Sequence, residues 1–78
     1  MQKIRKDAAF GRNIRAMRMA ANMTQEELAA KMQLEGCDMS RSILAHIETG
    51  TYNVRVSELS SLKKIFKTDY NAFFEGVD

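Results

Sequence analysis

The sequence predicts an all-α domain of five short helices around one core, and three observations predict it. Apolar residues recur at helical spacing along most of the chain, capping side chains stand at the heads of these stripes, and no segment alternates with a period of two between turns. At 78 residues the chain is one domain, near the lower limit for a core that supports itself. It has no proline, internal repeat or low-complexity segment at which to divide it. The expected organisation is a basic arm at 1–7, a folded domain at 8–75 and a tail at 76–78.

The first helix is expected from about Asp7 to Ala21, where Phe10, Ile14, Met17 and Ala21 form one apolar stripe. Asn22 follows where a helix end takes a left-handed residue. Thr24-Gln25-Glu26-Glu27 reads as a capping box opening a second helix, with Leu28, Ala29 and Met32 inward and Gly36 as its stop. A third helix is expected from a Ser40 cap to Thr49 before Gly50, with Leu44 and Ile47 buried. Val56, Leu59, Leu62 and Phe66 mark a fourth, and Tyr70, Phe73 and Phe74 after Asp69 a short fifth.

Composition narrows the function. Cys37 and His46 are the only residues of their kinds, so no disulfide framework and no four-ligand zinc site of soft ligands is expected. No nucleophile or carboxylate pair accompanies His46, so the reading is of a non-enzyme with no catalytic residues, no metal and no cofactor. Cys37 reads as a packing residue. The opening residues lack the apolar stretch of a signal peptide and no run spans a membrane, which makes a cytoplasmic protein the simplest reading. The net charge is only +2, yet Lys3, Arg5, Lys6, Arg12, Arg15 and Arg18 stand against Asp7 alone in the first 23 residues. Residues 24–50 are mildly acidic, so a polyanion would meet a basic front third.

Helices two and three, two short helices in succession with the second member capped, have the skeleton of a helix-turn-helix. Four blocks in order resemble the phage-repressor (Cro-like) helix-turn-helix family over residues 9–75. They are Phe10-Gly11-Arg12-Asn13-Ile14-Arg15-Ala16-Met17-Arg18, Met23 to Met32, Ser40 to Gly50, and Asn53 with the stretch from Val56 to Phe66. The resemblance implies a compact repressor-like fold that binds double-stranded DNA with helix three in the major groove. The sequence departs from the pattern in the longer turn from Gln33 to Met39, in Val54 where proline is frequent, and in Asn22 where glycine is frequent.

At 100° per residue, Ser42 and Thr49 point away from Leu44 and Ile47, with Ala45 and His46 beside them and Arg41 and Ile43 at the N-terminal end. The resemblance puts base contacts chiefly at Arg41, Ser42 and His46. Arg41 can fork onto guanine, Ser42 discriminates less, and Ile43 is placed to meet a thymine methyl. A solvated or phosphate-bound Arg41 is the plainer reading. Gln25, in the first turn of helix two, is the candidate for a phosphate, which free amides and the helix dipole favour there. Asn53 and Arg55 are further phosphate candidates, with Thr51 and Tyr52 weaker; the basic arm reads equally as a wrap around the duplex or a disordered start. The resemblance also implies a partly buried ion pair between Arg18 and Glu48 that fixes helix three.

The family usually binds as a two-fold dimer on a pseudo-palindrome. Tyr70, Phe73 and Phe74 are the candidate dimer contacts, against the plainer reading that Phe73 and Tyr70 close the core. The size fits a regulator of a mobile element, a restriction–modification controller, or one module of a longer protein. The competing class is a protein-interaction module, an antitoxin or a transcription adaptor gripping a toxin or transcription machinery.

Overall fold

The computed structural model describes residues 3–4 and 8–76. Five helices appear in chain order: α1 (Ala8–Ala20), α2 (Gln25–Leu34), α3 (Arg41–Thr49), α4 (Val56–Phe66) and α5 (Tyr70–Phe73). Two two-residue strands, β1 (Lys3–Ile4) and β2 (Val54–Arg55), pair antiparallel, Lys3 opposite Arg55 and Ile4 opposite Val54. No period-two segment of the sequence announces this ladder. Two residues are too few for alternation to register, and the pairing spans most of the chain. The rest of the basic arm, including Arg5 and Lys6, lies outside the described residues, as do Asp7, Val77 and Asp78.

Local chemistry sets the helix ends. Asn22 takes the left-handed conformation (φ 57°) after α1, and Met23 N–H closes back on the Arg18 carbonyl at 3.1 Å. At the head of α2 the Thr24 hydroxyl accepts from Glu27 N–H while the Glu27 carboxylate accepts from Thr24 N–H, satisfying two otherwise unpaired amides. Ser40 accepts from Ile43 N–H at 3.1 Å to open α3, and Gly50 (φ 79°) closes it. Asp69 caps α5 through Ala72 N–H.

Every helix contributes to one core. Phe10 and Ile14, Leu28 and Met32, Leu44 and Ile47, Leu59 and Leu62, and Phe73 are buried together. Each such side chain contributes roughly 1.5–3 kcal/mol relative to exposure. Met39 and Val54, from the connections flanking α3, are buried with them. Val56 and Ala21 depart from their expected stripes: Val56 is 52% exposed at the first position of α4, and Ala21 lies beyond the last turn of α1. Phe10 stacks on Phe73 and Phe74, with ring centroids 6.4 and 5.4 Å away, and the Asn13 amide donates to the carbonyls of Phe73 and Glu75. α5 is thereby fastened onto α1.

The long turn is ordered by its own bonds. α2 ends at Leu34, Gly36 turns the chain with φ 90°, and Gln33 Nε2 donates to the Met39 carbonyl at 2.6 Å. Met39, buried beneath this bridge, pins the far side of the turn beside the Ser40 cap. Among the described residues no helix is long and apolar enough to cross a membrane.

Candidate nucleic-acid interface

α3 is amphipathic, and its two faces have separate tasks. Leu44, Ile47 and Glu48 are buried, whereas Arg41, Ser42, His46 and Thr49 are exposed along the opposite side and the N-terminal end. Ile43, expected to meet a thymine methyl, is half-buried and packs against the core. A side chain between the two faces shares in the apolar contacts of whichever it can reach.

Beneath α3 lies a polar hub. Glu48, 6% exposed, accepts from Arg18 Nε at 2.7 Å and from Arg18 Nη2 at 3.0 Å, a two-pronged pair. Arg18 Nη1 donates to the Met23 carbonyl at 2.8 Å, so the guanidinium also ties α1 to the approach of α2. The hydrogen bond it donates to Glu48 holds the Arg18 pKa above its usual value, against the opposing effect of burial. Gln25 Nε2 donates to Glu48 Oε1 at 3.1 Å. One carboxylate thus links α1, α2 and α3. Gln25 stands at the first position of α2, and its amide keeps a second N–H beyond the one given to Glu48.

The loop after α3 is held from below as well. Glu58, buried in the first turn of α4, accepts from the Tyr52 hydroxyl at 2.9 Å and from Arg55 N–H at 2.8 Å. This fixes both ends of the segment that carries Asn53. Burial and the bond to Glu58 push the Tyr52 hydroxyl pKa up. Asn53 and Arg55 are exposed. Thr51, also a phosphate candidate, is exposed and braces the end of α3. Its hydroxyl donates to the His46 carbonyl at 3.2 Å and meets His46 Nδ1 at 3.0 Å, so it closes the end of α3. His46 is turned outward with Nδ1 engaged in that threonine cluster.

The aromatic end needs one correction. Phe73, expected as a dimer contact, is 0% exposed and packs between Phe10 and Phe66. The Asp69-capped turn of α5 points it inward, where Phe10 and Phe66 close around it. Tyr70 remains 43% exposed beneath the Lys63 ammonium, and Phe74 is half-buried.

A protein-family model described as helix-turn-helix matches residues 14–73. The chain belongs to the helix-turn-helix family. Within this family it is 36% identical over 56 residues to control protein C.BamHI of Bacillus amyloliquefaciens, covering 70% of this chain and 63% of that relative. The crystal structure of the restriction-modification controller protein C.AhdI from Aeromonas hydrophila matches with a TM-score of 0.75 at 25% identity, over 86% of this chain and 94% of that one. The clp gene regulator ClgR from C. glutamicum shares the fold with a TM-score of 0.74 at 23% identity, over 87% and 82% of the two chains.

Two members of the helix-turn-helix site escaped the sequence reading. Glu58 reads in sequence as an ordinary first-turn acid, although its position three residues after Arg55 carries the signal of a carboxylate reaching back to a preceding amide. Gly11 is buried on α1 where it meets the backbone of α3, and no local pattern marks it.

Proposed function

We propose that this chain binds double-stranded DNA sequence-specifically as a small transcriptional regulator, with α3 in the major groove and two copies on a pseudo-palindromic site. The observation that carries this reading is the construction of α3: an exposed face with Arg41, Ser42 and His46 stands on a helix locked by the buried Glu48. Arg41 supplies a fork for guanine, and Ser42 and His46 supply hydrogen bonds that depend on the base opposite. Backbone phosphates are taken by Gln25 at the N-terminus of α2 and by Asn53 and Arg55 in the loop Glu58 supports. Tyr70 and Phe74 are the dimer contacts in this reading. The relatives named control or controller proteins support a controller role of the same kind.

Selection of bound duplexes from a random library, repeated at two salt concentrations, tests the reading. An enriched site with two related half-sites about one helical turn apart, bound less tightly at high salt, is the expected result. Enrichment of no sequence at either salt concentration sinks it.

A further inference from the structure

Two cavities lie on the flank formed by the C-terminal ends of α1, α2 and α4. They share Ala21 and Ile65 and form one groove, the larger part about 530 Å³ and the smaller about 360 Å³. Met23, Ile65, Met17 and Phe66 give it an apolar floor that rests on the core. Leu34 stands at the rim with 88% of its surface exposed. Three lysines, Lys31, Lys64 and Lys67, line the larger part against one carboxylate, Glu35. Glu35 lies 3.9 Å from Lys64, with both side chains open to water that screens the pair. The rim therefore keeps an excess of positive charge around an apolar recess.

Helix-dipole compensation accounts for lysines at the ends of α2 and α4. It does not account for an exposed leucine and a recessed apolar floor between them. The groove is also separate from the DNA-facing surface, since α2 rises about 13 Å from Gln25 to Leu34.

We propose that this groove is a docking site for an acidic amphipathic segment of a partner protein. Its apolar side chains fill the floor beside Leu34, and its carboxylates meet Lys31, Lys64 and Lys67, a helix-in-groove arrangement. The other occupants fit less well. A duplex offers phosphates but no apolar anchor. A bilayer takes up fully exposed apolar groups, and here Met17, Ile65 and Phe66 are half-buried against the core. A second copy related by a two-fold axis sets the same lysines against one another.

The test titrates the isotope-labelled full chain with a synthetic amphipathic peptide of about 15 residues, bearing leucines at helical spacing and glutamates beside them. Resonances of Ala21, Met23, Leu34 and Ile65 should move while those of Arg41 and Ser42 stay. A control peptide with lysines in place of the glutamates should leave them unmoved. Lys64→Glu combined with Lys67→Glu should weaken peptide binding by about tenfold or more, and Leu34→Glu, a surface change that spares the core, should weaken it too. The lysine variant should keep the parent's affinity for duplex DNA, so a failure of the DNA reading remains distinguishable from a failure here. The proposal falls if millimolar peptide moves no groove resonance, or if the lysine peptide binds as well. It falls equally if only phosphatidylglycerol vesicles move these resonances, or if only dilution of the chain itself does.

Discussion

A Cβ placed on Gly11 would stand 2.5 Å from the Ile47 carbonyl oxygen and 2.6 Å from that of Glu48. The backbones of α1 and α3 therefore touch at a point where only a hydrogen fits. Gly11→Ala gains up to about 1 kcal/mol of helix propensity, but the obstructing atoms are main chain and cannot rotate away. The clash wins, and a net loss of about 1–3 kcal/mol is expected, as for overpacked cores. Urea denaturation measures it; a stabilised Gly11→Ala protein would contradict the close approach.

Removing one partner from the buried pair leaves the other charge without compensation. Glu48→Ala or Arg18→Ala should each lower stability by roughly 3–5 kcal/mol, and the double substitution by less than their sum. Glu48→Gln is the milder probe. If it changes neither the melting temperature nor DNA affinity, the carboxylate does not set the angle of α3.

The two ends of α5 should respond differently to truncation. Phe73→Ala, at a fully buried ring, is expected to cost about 3–5 kcal/mol. Tyr70→Ala should cost far less stability, since the ring is largely exposed. In the proposed dimer it should shift sedimentation toward the monomer. A loss of fold as severe as that of Phe73→Ala would remove Tyr70 from the dimer surface and place it in the core.

Within the proposed DNA complex, Arg41→Ala should cost about 1–3 kcal/mol and relax preference at one base pair. Asn53→Ala should weaken all sequences alike. Gln25→Ala acts twice, through the phosphate and through Glu48, so its binding loss is to be compared with a melting curve on the same sample. Equal losses on every sequence for Arg41→Ala would assign it to phosphate.

Two groups make stability depend on pH in opposite directions. The Thr24 amide holds the Glu27 carboxyl below its usual value. Its contribution is complete above the ordinary glutamate pKa, about 4.3, and disappears as pH falls through the lower folded value. Tyr52 is raised in the fold, so the contribution of its neutral phenol is complete below about 10 and disappears as pH rises through the higher folded value. Glu27→Ala should flatten the acid limb of the stability profile and Tyr52→Phe the alkaline limb, both read by urea midpoints across pH.

The helices were legible because their signals are local. Thr24 with Glu27, Ser40 with Gly50, and Asn22 each announce a boundary within a few residues, and the helices end where these stand. Relationships between distant segments were not legible. Met39 and Val54 lie in connections without periodicity, and their burial depends on where α3 places them. β1 meets β2 across some fifty residues, which no short window contains. The exposed side of α3 could be read from spacing, whereas the support of Thr51 to His46 and of Glu58 to Arg55 depends on how the chain turns after Gly50.

The division of α3 into an inner and an outer side has a consequence for how such a protein diversifies. The fold draws on Leu44, Ile47, Glu48 and the main chain facing Gly11, and asks little of the side chains at 41, 42 and 46. Positions 41 and 42 can be rewritten together without disturbing the framework, and position 46 at the cost of its contact with Thr51. In the proposed DNA complex the outer side of α3 would be a replaceable reading head, so that a lineage built on this framework would acquire new targets faster than a new shape.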